Sequence, residues 1–435
     1  MGENGAKENS KEGIHRRRFV KNTTAATSFM ILKSSLVRGT MANSALQIGV
    51  VGCGGRATAV GQGFLRNTNT RIQALADVFQ DRLDQYVKGL NDFYTEKGTP
   101  LLDSTLVYKG PDAFRQVAEC GQVDAVLIAS PPYYHPEHLE AAVNAGKHVY
   151  CEKPVAVDVS GCKRIMEIGE KAEGLLSLDV GFQIRSAPPF IELTRRIHNG
   201  ALGQISSGLA YYYAGELKRP NYGDILPMEK RLRNWVWDRT LSGDIIVEQN
   251  VHVVDICNWV LQSHPLKACG SGGRKVVKNM GNCYDHFNLT FTYPNDVVIT
   301  FASAQHLKGW FDVCERFFGS KGVSEAHYSQ PVAIYGDEPW DYFEELAAQI
   351  NEKAGEFSPT GNFGGALKEA DPNKQKEFEY SIRSGNYHNQ ARQAAESALS
   401  AILGREAAYT GDVVDWNQLV NSNQKWNADI DLTHL

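Results

Sequence analysis

Glu248, His252, Asp255 and Trp259 follow one another at steps of four, three and four in the run Glu248-Gln249-Asn250-Val251-His252-Val253-Val254-Asp255-Ile256-Cys257-Asn258-Trp259. At 3.6 residues per turn this spacing predicts two carboxyls, an imidazole and an indole on one helical stripe. The other positions are largely Val, Ile and Cys, so the helix is expected to be buried over much of its circumference. Acids and imidazoles there are costly unless they are hydrogen-bonded or used. Either His252 is a core histidine satisfied by Glu248 or Asp255, or the stripe is a site. A second candidate is Glu152-Lys153-Pro154, directly after the apolar run 148–151. Pro154 fixes its own φ and disfavours helix at Lys153, which predicts a lysine in extended backbone at the end of a strand. A base that titrates near neutrality beside a cation suits removal of a hydroxyl proton while negative charge on oxygen is stabilised.

The elements that position these groups begin at residue 46. The apolar run 46–51 flows into Gly52-Cys53-Gly54-Gly55-Arg56-Ala57 and then a helical pattern, in the order strand, tight turn, helix. Gly52 lets the chain turn, Gly54 lets backbone approach a pyrophosphate, and Ala57 keeps the helix close to the sheet. The helix N-terminus supplies free N–H groups to phosphates. A second strand, 72–76, ends in Asp77, where a carboxylate accepts from ribose hydroxyls and repels a 2′-phosphate. This favours NAD over NADP, with Arg82 nearby keeping NADP open. A third strand, 123–129, is apolar almost throughout and stops at Ser130-Pro131-Pro132, where a ligand loop belongs. A helix with Pro136 in its first turn and Gly146 at its end leads into the strand that carries Lys153.

Composition narrows the class. The chain has 435 residues, 42% hydrophobic and 22% charged, enough for two domains with real cores. Lys+Arg 45 against Asp+Glu 50 is too acidic for a nucleic-acid binder. No apolar run is long enough to span a bilayer, so no stable membrane insertion is expected. Residues 1–45 are basic and contain Arg16-Arg17-Arg18-Phe19-Val20-Lys21 before a weakly apolar tract, 23–37. This resembles a twin-arginine export signal with a linker and predicts a periplasmic or otherwise exported protein. The eight cysteines show neither CxxC nor zinc-finger spacing, which suits buried thiols, and no metal-ligand cluster is read.

Past the first domain the period changes. Phe287, Leu289, Phe291 and Tyr293 alternate with polar residues, Pro294-Asn295-Asp296 makes a turn, and 297–302 returns, which predicts a hairpin. Residues 205–213 form another strand. Trp235, in Arg233-Asn234-Trp235-Val236-Trp237, is a candidate to stack on a ring, and Arg185 follows strand 175–180 as a candidate hydroxyl or carboxylate contact.

Together these motifs resemble the glucose–fructose oxidoreductase / inositol dehydrogenase (Gfo/Idh/MocA) family. The matching residues are Gly52 to Arg56, Ser130-Pro131-Pro132 with His135, Glu152-Lys153-Pro154, and Gly243…Glu248…His252-x-x-Asp255-x-x-x-Trp259. Ser381-Ile382-Arg383-Ser384-Gly385 and Gly404 to Tyr409, with Trp416, agree as well. The resemblance implies an α/β chain: a Rossmann domain at 46–172, then a substrate-binding and dimerisation α+β domain at 173–435. The second domain has a large, open, mainly antiparallel sheet, and its last helix packs back on the first. It implies a homo-oligomer, dimer or tetramer, with a small carbohydrate substrate. Lys153 and His252 are the implied active-site pair, joined by Glu248 and Asp255. Gly52, Cys53, Gly54, Gly55, Arg56, Ala57, Asp77, Ser130, Pro131, His135, Glu152 and Lys153 are expected at the cofactor. Arg185, Trp235, Glu248 and His252 are expected at the substrate. Glu248 stands where the family usually has Asp, and Asn250 where it has Gly.

The expected reaction is hydride transfer from a secondary alcohol of a sugar, cyclitol or glycoside to tightly bound NAD. One alternative is a glycoside-cleaving or epimerising enzyme that works through a transient keto-sugar without net redox change. The other is a sugar-binding protein without turnover.

Overall fold

The computed structural model describes residues 44–217, 220–278, 281–346 and 365–435. The proposed export signal and the linker before Ser44 lie outside them. Six parallel strands form the first sheet: β1 (Leu46–Val51), β2 (Thr70–Asp77), β3 (Val107–Lys109), β4 (Ala125–Ile128), β5 (His148–Cys151) and β6 (Leu178–Val180). Their order is β3-β2-β1-β4-β5-β6. All four residues of β4 are buried, as the unbroken apolar run requires of a strand covered on both faces. The order reverses beside β1, so the carboxyl ends of β1 and β4 diverge and open a crevice. The sheet runs to Val180, past the domain boundary expected at 172.

The second sheet has nine strands: β7 (Ile205–Gly215), β8 (Lys267–Gly273), β9 (His286–Thr292), β10 (Val298–Leu307), β11 (Asp312–Gly319), β12 (Gly322–His327), β13 (Val332–Gly336), β14 (Trp340–Asp341) and β15 (Val414–Asp415). The order is β14-β13-β12-β11-β7-β10-β9-β8-β15. Only β7 and β10 pair in parallel; every other neighbour is antiparallel. The hairpin expected at 287–302 is β9 and β10, with Thr292 opposite Val298. Alternation in β9 and β10 puts Phe287, Leu289, Phe291, Ile299 and Phe301 on one buried face. That face packs against helices Val251–Leu261 and Ala391–Thr410 in one apolar core that continues to the first sheet.

A second core covers the other face of the first sheet. Ile48, Val50, Phe64, Leu75, Leu127 and Tyr150 meet Phe378 and Ile382 of helix Ala370–Ser384, so the chain returns to its first domain. All eight cysteines are free. Among the described residues no helix is long and apolar enough to cross a membrane.

Candidate active site

The crevice at the carboxyl ends of β1, β2 and β4 is a cleft of about 890 Å³, part of it open to solvent. Its floor is the glycine turn. Gly52 has φ +87°, and a Cβ there would lie 2.6 Å from Ser130 N and 2.8 Å from Ala129 C, so the turn and the neighbouring loop both require glycine. At Gly54 a Cβ would meet nothing within 4 Å, which leaves the main chain open to a ligand. Helix Gly55–Asn67 starts there with no side-chain cap, so its first N–H groups face the cleft unmatched. Asp77 accepts from Cys53 N–H (2.7 Å) through Oδ2 and from Phe79 N–H (2.9 Å) through Oδ1. Burial pushes its carboxyl up against these bonds. An open backbone, free helix N–H groups and a carboxylate on the second strand suit a dinucleotide and its ribose.

Gly52, Gly54, Gly55, Asp77, Ser130 and Pro131 line this cleft. Six residues expected beside them, Cys53, Arg56, Ala57, His135, Glu152 and Lys153, do not line it. Cys53 and Ala57 turn into the second core. Arg56 reaches across to Glu152 Oε1 (2.8 Å) and, through a bidentate fork, to Asp371 (2.9 and 3.0 Å), so its donors and Glu152 tie the first domain to the returning helix. Glu152 is 4% exposed, and burial pushes its carboxyl up while Arg56 opposes it. His135 is buried between two carbonyls, Nδ1 near Pro154 O (2.8 Å) and Nε2 near Ser130 O (2.7 Å). It links the ligand loop to the Lys153 loop, and burial holds its ring down to about 4.

Lys153 sits at the end of β5, and its peptide bond to Pro154 is cis. Its Nζ donates to the Glu248 carbonyl oxygen (2.6 Å) and to Glu248 Oε1 (3.2 Å). Glu248 Oε2 in turn accepts from Gln249 Nε2 (2.7 Å), and Gln249 Oε1 accepts from Tyr212 OH (3.2 Å). The stripe that the spacing predicts is broken. Helix Ile245–Glu248 ends and helix Val251–Leu261 begins around Asn250, whose N–H bonds Ile245 O, five residues back. That wider turn shifts the angular register, and Glu248 bonds Lys153.

His252 is 7% exposed, and its Nδ1 is buried with no hydrogen-bond partner among the described residues. Burial first, and then the charges of Lys153 and Arg56, hold its ring well below the usual histidine range. Asp255 does not orient it. Both Asp255 oxygens are taken, by Arg185 Nε and Nη2 (2.8 and 2.9 Å) and by Ser397 Oγ (2.7 Å). Arg185 and Asp255, expected at substrate and at proton transfer, therefore hold one another. Trp235 lines the dinucleotide cleft near Asp77 and Arg233, away from Lys153, and Trp237 is core.

The sequence reading missed several residues. Asp371 and Ser397 are partners that no local pattern announces. Gln249 lies inside the helical run, where the spacing gives it no role. Leu232, Arg233 and Leu432 line the cleft, and for Leu432 a signal existed: the alternation Trp426, Ala428, Ile430, Leu432 with Asn427, Asp429, Asp431. On the open face of the second sheet Cys314, Glu325 and His327 bring ligand-type atoms within 4.8 Å of one another. Arg316 already engages Glu325, and Asp312 engages His327 (2.8 Å), so ion pairs account for the group.

Residues 46–180 match the model of the oxidoreductase family with an NAD-binding Rossmann fold, and 190–325 match the Gfo/Idh/MocA C-terminal domain. Inositol 2-dehydrogenase of Acidothermus cellulolyticus is 26% identical over 302 residues, 67% of this chain and 76% of that protein. Two solved structures share the fold. Aldose–aldose oxidoreductase of Caulobacter crescentus has a TM-score of 0.63 at 19% identity, covering 85% of this chain and 99% of that one. Levoglucosan dehydrogenase, in complex with NADH and levoglucosan, has a TM-score of 0.65 at 17% identity, covering 86% and 100%. With both domains matched, in order, around a glycine-turn cleft and a strand-end lysine, the chain belongs to the Gfo/Idh/MocA family of NAD-dependent oxidoreductases.

Proposed function

We propose that the chain oxidises a secondary alcohol of a sugar, cyclitol or glycoside, with Lys153 and His252 managing the hydroxyl proton. The observation that carries this is a Lys153 ammonium fixed by Glu248 beside a buried imidazole with an unpartnered nitrogen. NAD bound in the cleft supplies the hydride acceptor. Two of the three Lys153 donors go to Glu248, which leaves one for a substrate oxygen. Aimed there, the cation stabilises charge as the alcohol becomes a carbonyl. His252, kept neutral by burial, accepts the hydroxyl proton as the hydride leaves, and Lys153 holds the oxygen while negative charge gathers on it. Glu248 positions the lysine through its carbonyl as well as its carboxylate, so Glu in place of the family's Asp does not by itself remove the lysine's anchor. The named relatives, which act on inositol, aldoses and levoglucosan, support a polyhydroxy substrate. Export directed by the Arg16–Lys21 stretch is part of the same reading, and cell fractionation of an Arg16→Lys/Arg17→Lys variant tests it.

Lys153→Met should still bind NAD while turnover, followed as sugar-dependent absorbance of reduced nicotinamide, falls about 10²–10⁴-fold. Near-normal turnover in that variant removes Lys153 from the mechanism. Sugar binding to the unaltered protein with no absorbance change would sink the enzymatic reading.

A further inference from the structure

The dinucleotide cleft has a wall that neither the glycine turn nor the first domain supplies. Leu232, Arg233 and Trp235 enter it from the second domain, and Leu432 from the 424–435 segment. They stand opposite Asp77, Val78 and Phe79, where the strand-two carboxylate places the adenosine half of a dinucleotide.

The wall is anchored along its length. Gln424 O accepts from Ser160 N–H (2.9 Å), and Trp426 N–H donates to Asp158 Oδ2 (2.7 Å). The Arg405 guanidinium lies 3.8 Å from the centre of the Trp426 ring. Ala428 N–H donates to Tyr133 OH (3.3 Å), and its carbonyl accepts from Arg231 Nη1 (2.9 Å). The segment thus runs from the loop behind Lys153 to the far end of the cleft. Along it residues 426, 428, 430 and 432 turn inward, while 425, 427, 429 and 431 are exposed. Ala428, Ile430, Leu432 and Leu435 join Leu232, Trp235 and Phe79 in a separate apolar cluster. Arg233 fastens the other edge, with a bidentate pair to Asp81 (2.9 and 3.0 Å) and its guanidinium 3.9 Å from the centre of the Phe79 ring.

Ile430, Leu432, Trp235 and Phe79 are only partly buried and line or flank the space an adenine would occupy. A flat aromatic ligand there completes an apolar cluster that is otherwise open on one side. Its release requires this surface to be exposed again, or the anchors to open, and both slow dissociation.

We infer that the 424–435 segment and the Leu232–Trp235 turn are part of the cofactor site, enclosing the adenosine half so that one dinucleotide stays bound from turnover to turnover. This rests on the cleft binding NAD, as the proposed function requires.

The test compares the full-length chain with a deletion of residues 429–435 and with Leu432→Asp, which keeps chain length should the deletion fail to fold. Each is loaded with NAD and desalted, and bound nucleotide is followed over time after denaturing release. The full-length chain should keep its NAD through desalting, and the variants should lose theirs about tenfold faster or more at a temperature where all three remain folded by circular dichroism. Equal dissociation rates in all three overturn the inference while leaving the NAD site intact. Failure of every form to bind NAD in excess overturns the cleft reading, and this inference with it.

Discussion

At the glycine turn the surface that meets a ligand is main chain: a positive-φ glycine, a second glycine with open space before it, and the uncapped start of a helix. At Lys153 it is side chain. The lysine from the end of β5 bonds a carboxylate from helix Ile245–Glu248, and its charge reaches an imidazole on helix Val251–Leu261, whose neighbour Asp255 is held by Arg185 and Ser397. The first arrangement is built from consecutive residues packed against the backbone of the Ala129–Ser130 loop, so a substitution acts through main-chain sterics. The second is set by partners up to 142 positions apart, so a substitution acts through what it leaves unpaired.

The largest effect expected at the main-chain end is that of Gly52→Ala. The added methyl would sit within 2.8 Å of backbone atoms of Ala129 and Ser130, and φ +87° is strained for any residue with a Cβ. Because backbone must move, the loss should reach about 3 kcal/mol or more in denaturant unfolding. A loss under about 1 kcal/mol would show that this turn is softer than its contacts imply.

At the side-chain end Arg185→Leu strands Asp255, a carboxylate 1% exposed, with Ser397 as its one remaining donor among the hydrogen bonds described above. Removing one partner of a buried pair costs about 3–5 kcal/mol. Replacing both, Arg185→Leu with Asp255→Leu, should recover part of that loss. If the double variant is less stable than the single one, the pair is not what holds this end together.

What the sequence made readable follows the same division. The strand, glycine turn, helix and Asp77 are neighbours in sequence as well as in space, and the period-two pattern of β9 gave the hairpin. Lys153 was legible because Pro154 and the strand end lie beside it. The break before Asn250 was not, since spacing counts residues and not the carbonyl each N–H chooses; Asn250 chose Ile245. Asp255 read as a partner of His252 because both lie on one helix, whereas Arg185 comes from another element and binds it better, with two donors. Glu315 shows the same blindness. It looks like an ordinary polar strand residue, yet it is fully buried, with no hydrogen-bond partner for its oxygens on any other described residue, and burial pushes its carboxyl well above the usual range.

A pH series probes the joint between the two ends, since His135 links the Ser130 loop to the Pro154 loop. Its ring is held down to about 4 in the folded protein, against about 6.5 when unfolded. Between those values the unfolded chain binds a proton that the folded one refuses, so stability falls as pH drops through that window. The contribution is about 1.4 kcal/mol per pH unit. His135→Gln removes it, so the stability gap between the two proteins should narrow by about that slope from pH 6 to pH 5. A gap constant across pH would mean that His135 is protonated in the folded state and bonds both carbonyls.

The smallest effect on stability is the one that most sharpens the contrast. Gly54→Ala differs from Gly52→Ala by two positions, yet φ at Gly54 is −81° and the new methyl meets no protein atom within 4 Å. Folding should change by no more than about 1 kcal/mol, the ordinary difference between these residues at a helix start. The open space there is space for a ligand, so NAD affinity should fall about tenfold or more in a binding titration even though stability is kept. If Gly54→Ala binds NAD as tightly as the unaltered chain, the pyrophosphate does not cross the turn at this glycine. The main-chain end of the site would then be a structural turn, and recognition of the cofactor would rest on Asp77 and the outer wall.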